Sequence, residues 1–268
     1  MTEQQERYPA GGPDEEVARL LRQAAAAGAN SNHAWDELWE KLLHCNEYFA
    51  AGYAVIPRLA ELAARFGPAA DSQPLQLAAA IIAADDDWDD DDIEDDEVAR
   101  ARRDSAAALR DLEDQALRSL QLPQLRDDSA AFLRLLQAVL AFRGVPVWQN
   151  QLAHLVDGDE ELELDCPSCS EIHLAWLTPS EGFTLRGHVD GEEVVRPIEP
   201  ADPASLDDVG GWLHRTATQH AQPAVAAQVV HLFGRSRCIA CDEEFRVSDG
   251  VLSLRGQFPD DDPDAAED

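Results

Sequence analysis

The chain has 268 residues, 45% of them hydrophobic, enough to bury a sizeable core as one large domain or two ordinary ones. Its 53 acidic against 21 basic residues give a formal charge of -32, which repels phosphate backbones and anionic lipid, so neither direct nucleic-acid binding nor membrane attachment is expected. The longest apolar stretch, Leu77 to Ala84, is far short of a membrane span, and the first residues lack the basic and apolar regions of a signal peptide, so a cytoplasmic protein is expected.

Residues 1–13 read as a disordered N-terminal segment, and residues 14–157 as helical almost throughout. Val17, Leu20, Leu21 and Ala24 keep helix spacing, with Gly28 as a stop. Trp35, Leu38, Trp39, Leu42 and Leu43 then fall at i, i+3, i+4, i+7 and i+8, a strongly apolar face that must pack on a neighbour. A helix over 47–66 follows and contains Pro57, which removes one backbone hydrogen bond and bends the helix. Further helices are expected over 74–84, 97–120 and 129–143, with a short one over 147–156. The run Trp35-Asp-Glu-Leu-Trp39, His44, Ala51, Ala54, Pro57, Leu59 and Leu62 resembles the first helix pair of bacterial HEAT-like repeat proteins. That resemblance implies stacked helices whose joint surface binds another macromolecule, an interaction surface in place of a catalytic pocket. An irregular helical bundle remains the other arrangement.

Between the helices lies an acidic loop, residues 85–97, with eleven acids among thirteen residues, interrupted only by Trp88 and Ile93. Mutual repulsion favours an extended, solvated segment. EF-hand calcium binding is not expected, because the glycine and the ligand spacing are absent. The functional candidate here is docking to a basic partner through Trp88 and the flanking Asp89, Asp90, Asp91 and Asp92, since aromatic residues dominate interface energies.

After Gly158 the period changes from 3.6 to 2. Strands are expected at Leu162 and Leu164, at Ile172, Leu174 and Trp176, and over 183–189, with Asp190-Gly191 as a hairpin turn. A Pro-rich link over 197–203 leads to helices near 206–216 and 223–233, then to final strands over 244–247 and 251–254. The fold class expected is α+β: the helical array, a small antiparallel β domain over 158–256, and an acidic disordered tail over 257–268.

The chemical signal is two C-x-x-C pairs, Cys166-Pro-Ser-Cys169 and Cys238-Ile-Ala-Cys241, each interrupting an expected hairpin. Two residues between thiolates let a tight turn aim both sulfurs at one point, and two such turns complete a tetrahedral site for structural Zn2+. Separate redox pairs, plain thiols and bound iron are the competing readings of the same spacing. The arrangement resembles a zinc ribbon built on rubredoxin-like knuckles, over residues 162–177 and 235–254. Two departures stand out: Ser170 and Asp242 replace the glycine that such knuckles carry after the second cysteine, and 68 residues separate Cys169 from Cys238. A four-sulfur site leaves no open position for water, which argues against catalytic zinc. His173 and His231 stand as replacement ligands if one pair fails. Cys45, beside His44, reads as an ordinary thiol near a helix end.

No G-x-S-x-G, G-x-x-x-x-G-K, H-E-x-x-H or G-x-G-x-x-G motif occurs, and His188-Val-Asp190 is a weak catalytic signal. The function expected is therefore a non-enzymatic protein-binding or scaffold protein with a structural zinc, neutralising or regulating a basic partner. The competing expectation is an enzyme with its site in the cleft between the helical and ribbon parts, near Trp148 and His154.

Overall fold

A computed structural model describes residues 15–30, 33–43, 49–83, 95–145, 152, 155, 161–178, 182–189, 191–206 and 208–255. Residues 1–13, the acidic run from Asp85 to Glu94, the short helix expected over 147–156 (apart from buried Leu152 and Leu155) and the tail over 257–268 lie outside them. Contacts divide the chain into two compact units, Met1–Leu122 with Gln137–Gln149 and Pro123–Leu136 with Asn150–Asp268. Among the described residues no helix is long and apolar enough to cross a membrane.

The first unit is helical: α1 (Glu15–Ala27), α2 (His33–Leu43), α3 (Phe49–Phe66), α4 (Gln73–Ala83) and α5 (Asp95–Ser119). The period-3.6 stripes become its core, with Val17, Leu20, Trp35, Leu38, Ile56 and Leu59 all nearly inaccessible to solvent. Polar contacts pin the helix ends. The Trp35 indole donates to the Gly28 carbonyl left over at the end of α1 (2.9 Å), and the Trp39 indole donates to Gln73 at the start of α4 (2.8 Å).

Pro57 sits inside α3, as the sequence requires, and deprives the Tyr53 carbonyl of its helical donor. The buried Ser105 hydroxyl on α5 points at that carbonyl from 3.5 Å, where α5 packs along α3. The α5 helix also starts earlier than expected, taking in Asp95, Asp96 and Glu97 from the end of the acidic run. Acidic residues are favoured in the first turn of a helix by its dipole, a gain the sequence reading of a wholly extended run leaves out.

A 3-10 turn over Pro123–Asp127 and α6 (Ser129–Phe142) follow. Asp128 caps α6 by accepting from the Ala131 N–H at 2.9 Å.

The second unit is built on an antiparallel sheet in the order β1-β2-β3-β4: β1 (Leu162–Asp165), β2 (Ile172–Thr178), β3 (Gly182–Val189) and β4 (Glu192–Pro197). Pairing of β3 with β4 runs to Val189↔Glu192, so only two residues separate the strands, and Gly191 has φ +83°. After the sheet come α7 (Asp208–Gln219) and α8 (Pro223–Leu232), then a two-stranded hairpin of β5 (Arg235–Arg237) and β6 (Glu244–Arg246). A single bridge, Glu199↔Arg235, ties the chain leaving β4 to β5.

The strand expected over 251–254 is instead part of a helix, α9 (Val247–Arg255). Val247 and Val251, one helical turn apart, are both buried, whereas Leu252 is 47% exposed. Gly250 explains how the helix fits: a Cβ there would fall 2.6 Å from the Asp165 carbonyl and 2.9 Å from Leu164, so only glycine lets α9 lie flat on β1. A four-residue apolar run cannot by itself distinguish a strand from a buried helical turn, and the contact with β1 decides it.

Candidate metal centre

Each C-x-x-C pair occupies the turn of a hairpin, the first between β1 and β2 and the second between β5 and β6. The two turns repeat the same bonds. Cys166 N–H donates to the Glu171 carbonyl at 2.9 Å, and Cys238 N–H donates to the Glu243 carbonyl at the same distance. Ser170 N–H returns to the Cys166 carbonyl at 2.8 Å, and Asp242 N–H to the Cys238 carbonyl at 3.1 Å. The residue after each second cysteine is left-handed, Ser170 at φ 59° and Asp242 at φ 62°. These are the positions where the sequence lacks glycine, so both turns hold the backbone that glycine favours and carry its strain.

Backbone N–H groups converge on the sulfurs as well. Ser168 N–H reaches Cys166 Sγ and Cys241 N–H reaches Cys238 Sγ, each at 3.4 Å, while Glu171 and Glu243 supply N–H groups to Cys169 and Cys241. Such donors stabilise thiolate over thiol. The Glu243 N–H is the main reason the Cys241 thiol lies below its ordinary value. Burial acts the other way on Cys238, whose thiol is pushed up to about 12. A buried sulfur of that kind ionises at neutral pH only against a cation.

The 68-residue interval between the pairs closes as the sequence reading requires. Cys166, Cys169, Cys238 and Cys241 bring their sulfurs within 4.8 Å of one another, with Cys166–Cys241 at 3.8 Å and Cys169–Cys238 at 3.6 Å. Four thiolates at about 2.3 Å from a tetrahedral ion stand about 3.8 Å apart. The cluster therefore has the size and donor set of a four-thiolate site and can hold a metal ion. Cys166 and Cys238 are buried and Cys169 and Cys241 exposed, so the cluster lies at the edge of the fold with two sulfurs inward.

The remaining candidates fall elsewhere. His173 is 1% exposed with Nε2 3.2 Å from Cys238 Sγ, beside a complete cysteine set, and burial holds its pKa below the usual imidazole value. His231 is remote from the sulfurs in its bonding: it stacks on Phe183 at 3.5 Å between ring centroids, and its Nδ1 donates to the Ala227 carbonyl at 2.7 Å. Trp88, Asp89, Asp90, Asp91 and Asp92, together with Cys45, Trp148 and His154, lie outside the described residues.

Sequence reasoning missed Gly187 on β3, which faces the His173 ring, and Ile239 of the second cysteine pair, which lies against the same glycine. Alternation held a usable signal. Taking Ile172, Leu174 and Trp176 as one face of β2 places His173, Ala175 and Leu177 on the other, and it is this second set that is buried.

The chain matches no protein-family model, no curated protein and no solved structure. The geometry of the site is thus what speaks to its chemistry.

Proposed function

We propose that the chain is a non-enzymatic protein-binding or scaffold protein of the bacterial cytoplasm, with a HEAT-like helical array as its interaction surface and one structural Zn2+ held by rubredoxin-type knuckles. The observation that carries the reading is the closed set of four sulfurs. With every tetrahedral position taken by thiolate, the metal has no place for water or substrate and acts as a fastener of the β unit. Zinc suits this set better than redox-active metals for that task, because it has no redox chemistry of its own. Iron on the same ligands is an outcome that metal analysis would reveal.

The partner is a basic protein. A net charge of -32 attracts a cationic surface at long range and disfavours nucleic acid and anionic membrane, and the acid-rich run that contains Trp88 combines charge with an aromatic anchor. The test is crosslinking in the native cell followed by purification at low and high salt. A stoichiometric basic partner, retained at low salt, released at high salt and lost when Asp89, Asp90, Asp91 and Asp92 are all changed to Asn, is the expected result. Recovery of the same partner regardless of salt and of those four changes would reject the electrostatic reading.

A further inference from the structure

Metal centres are shaped by the groups that touch the ligands as much as by the ligands themselves. Beside the sulfurs stands one such group, the His173 imidazole on the buried face of β2. Its Nε2 is 3.2 Å from Cys238 Sγ, while its Nδ1 is buried with no hydrogen-bond partner among the described residues. The ring is closely confined. On β3 a Cβ at Gly187 would come within 3.1 Å of both His173 Nδ1 and Ile239 Cδ1, so glycine makes the room. The Phe245 ring stacks on the imidazole with centroids 6.3 Å apart and planes 26° from parallel.

Against a metal-bound Cys238, this placement fixes which ring nitrogen carries the proton. A metal-bound thiolate has only lone pairs to offer, so an unprotonated Nε2 would set lone pair against lone pair at hydrogen-bond distance. With the proton on Nε2 the contact becomes an N–H···S bond, and the partnerless Nδ1 is left as a bare acceptor and not as an orphan N–H. Cys238 is buried away from water, so its N–H donors must come from the protein.

We propose that His173 is a positioning residue of the metal centre, donating an Nε2–H···S hydrogen bond to the metal-bound Cys238 thiolate and so lowering the charge and reactivity of that sulfur. The inference rests on the four-thiolate reading above and adds how that site is kept inert. Four thiolates around Zn2+ carry a net charge of two minus inside an already anionic protein. A donor on a buried sulfur drains that charge where water cannot. The exposed Cys169 and Cys241 are then the sulfurs that acids and electrophiles reach first, and Cys238 holds its metal bond longest.

The test uses the full chain with Co2+ in place of Zn2+, whose sulfur-to-metal charge-transfer bands report the electron density on the thiolates. His173→Gln keeps an N–H donor at the same end of the side chain, whereas His173→Met fills the space with a flexible side chain that cannot donate. The expected result is wild-type bands in His173→Gln, bands moved to lower energy in His173→Met, and release of metal to a chelator about 10- to 100-fold easier in the latter. A packing role alone would lower thermal stability in both variants and leave the bands in place, and that result overturns the proposal. If His173→Met does not fold, His173→Asn, whose shorter amide falls out of reach of Cys238, must show the same shift; unshifted bands there overturn it equally. Wild-type protein that binds neither Co2+ nor Zn2+ rejects the metal site itself, an outcome distinct from metal bound with unshifted bands.

Discussion

Replacing Ser170 by glycine should stabilise the metal-loaded protein, although the change removes a side chain. At φ 59° a non-glycine residue is held in the left-handed region at a cost of about 1–2 kcal/mol. Glycine relieves that strain but gives the unfolded chain more freedom, worth about 0.4–1 kcal/mol in the opposite direction. The net is a gain of roughly 0.5–1 kcal/mol, and the Ser170 N–H that bonds the Cys166 carbonyl is kept. The symmetry-related change Asp242→Gly relieves the same strain at φ 62° but loses the carboxylate contacts with Arg196 at 2.7 Å and Arg237 at 3.4 Å. These are largely exposed pairs, worth about 0–1 kcal/mol together, so that variant should be close to neutral. Urea unfolding at fixed, buffered free zinc measures both. A Ser170→Gly midpoint below wild type would refute the claim that this turn holds a left-handed residue under strain.

Gly250→Ala should destabilise by about 1–3 kcal/mol in a thermal melt, since its Cβ has backbone 2.6 Å away, and the modest helix-propensity gain of alanine does not offset the overlap. Were residues 251–254 a strand and not part of α9, no such penalty would appear. Cys238→Ser should abolish metal binding and unfold the β unit, seen as loss of sheet signal by circular dichroism with most helical signal retained. His220 and His231, both held below 6.5 by burial, contribute to the pH dependence of stability. Their folded forms bind fewer protons than the unfolded chain, so stability falls as pH drops through the unfolded value near 6.5 and levels off below the depressed folded values. His231→Gln should make the stability profile between about pH 7.5 and 5.5 shallower than wild type; an unchanged slope would mean that His231 does not contribute.

How far the sequence was legible depended on the range of the interaction that decides each feature. The C-x-x-C turns are local: two intervening residues fix the sulfur geometry, and even the left-handed strain at Ser170 and Asp242 follows from the missing glycines. Helix stripes such as Trp35, Leu38 and Leu42 are equally local, and their burial matches their spacing. Pro57 announces that the Tyr53 carbonyl lacks its regular helical N–H donor, but nothing local says that Ser105, 52 residues away, faces it. The same limit explains α9. Val251 to Leu254 carry no decisive period, and the helix is selected by the close approach of Gly250 to β1. His173 was visible as a candidate ligand, yet its place beside Cys238 depends on β2–β3 register and on the closure of a 68-residue interval.

The claim on which the rest depends is that four cysteines converge on one metal ion and fasten the β unit. Native mass spectrometry of the chain, purified without added metal and paired with elemental analysis, tests this directly. One zinc per chain, lost on Cys238→Ser substitution, is the expected result; a folded β unit carrying no metal would contradict it.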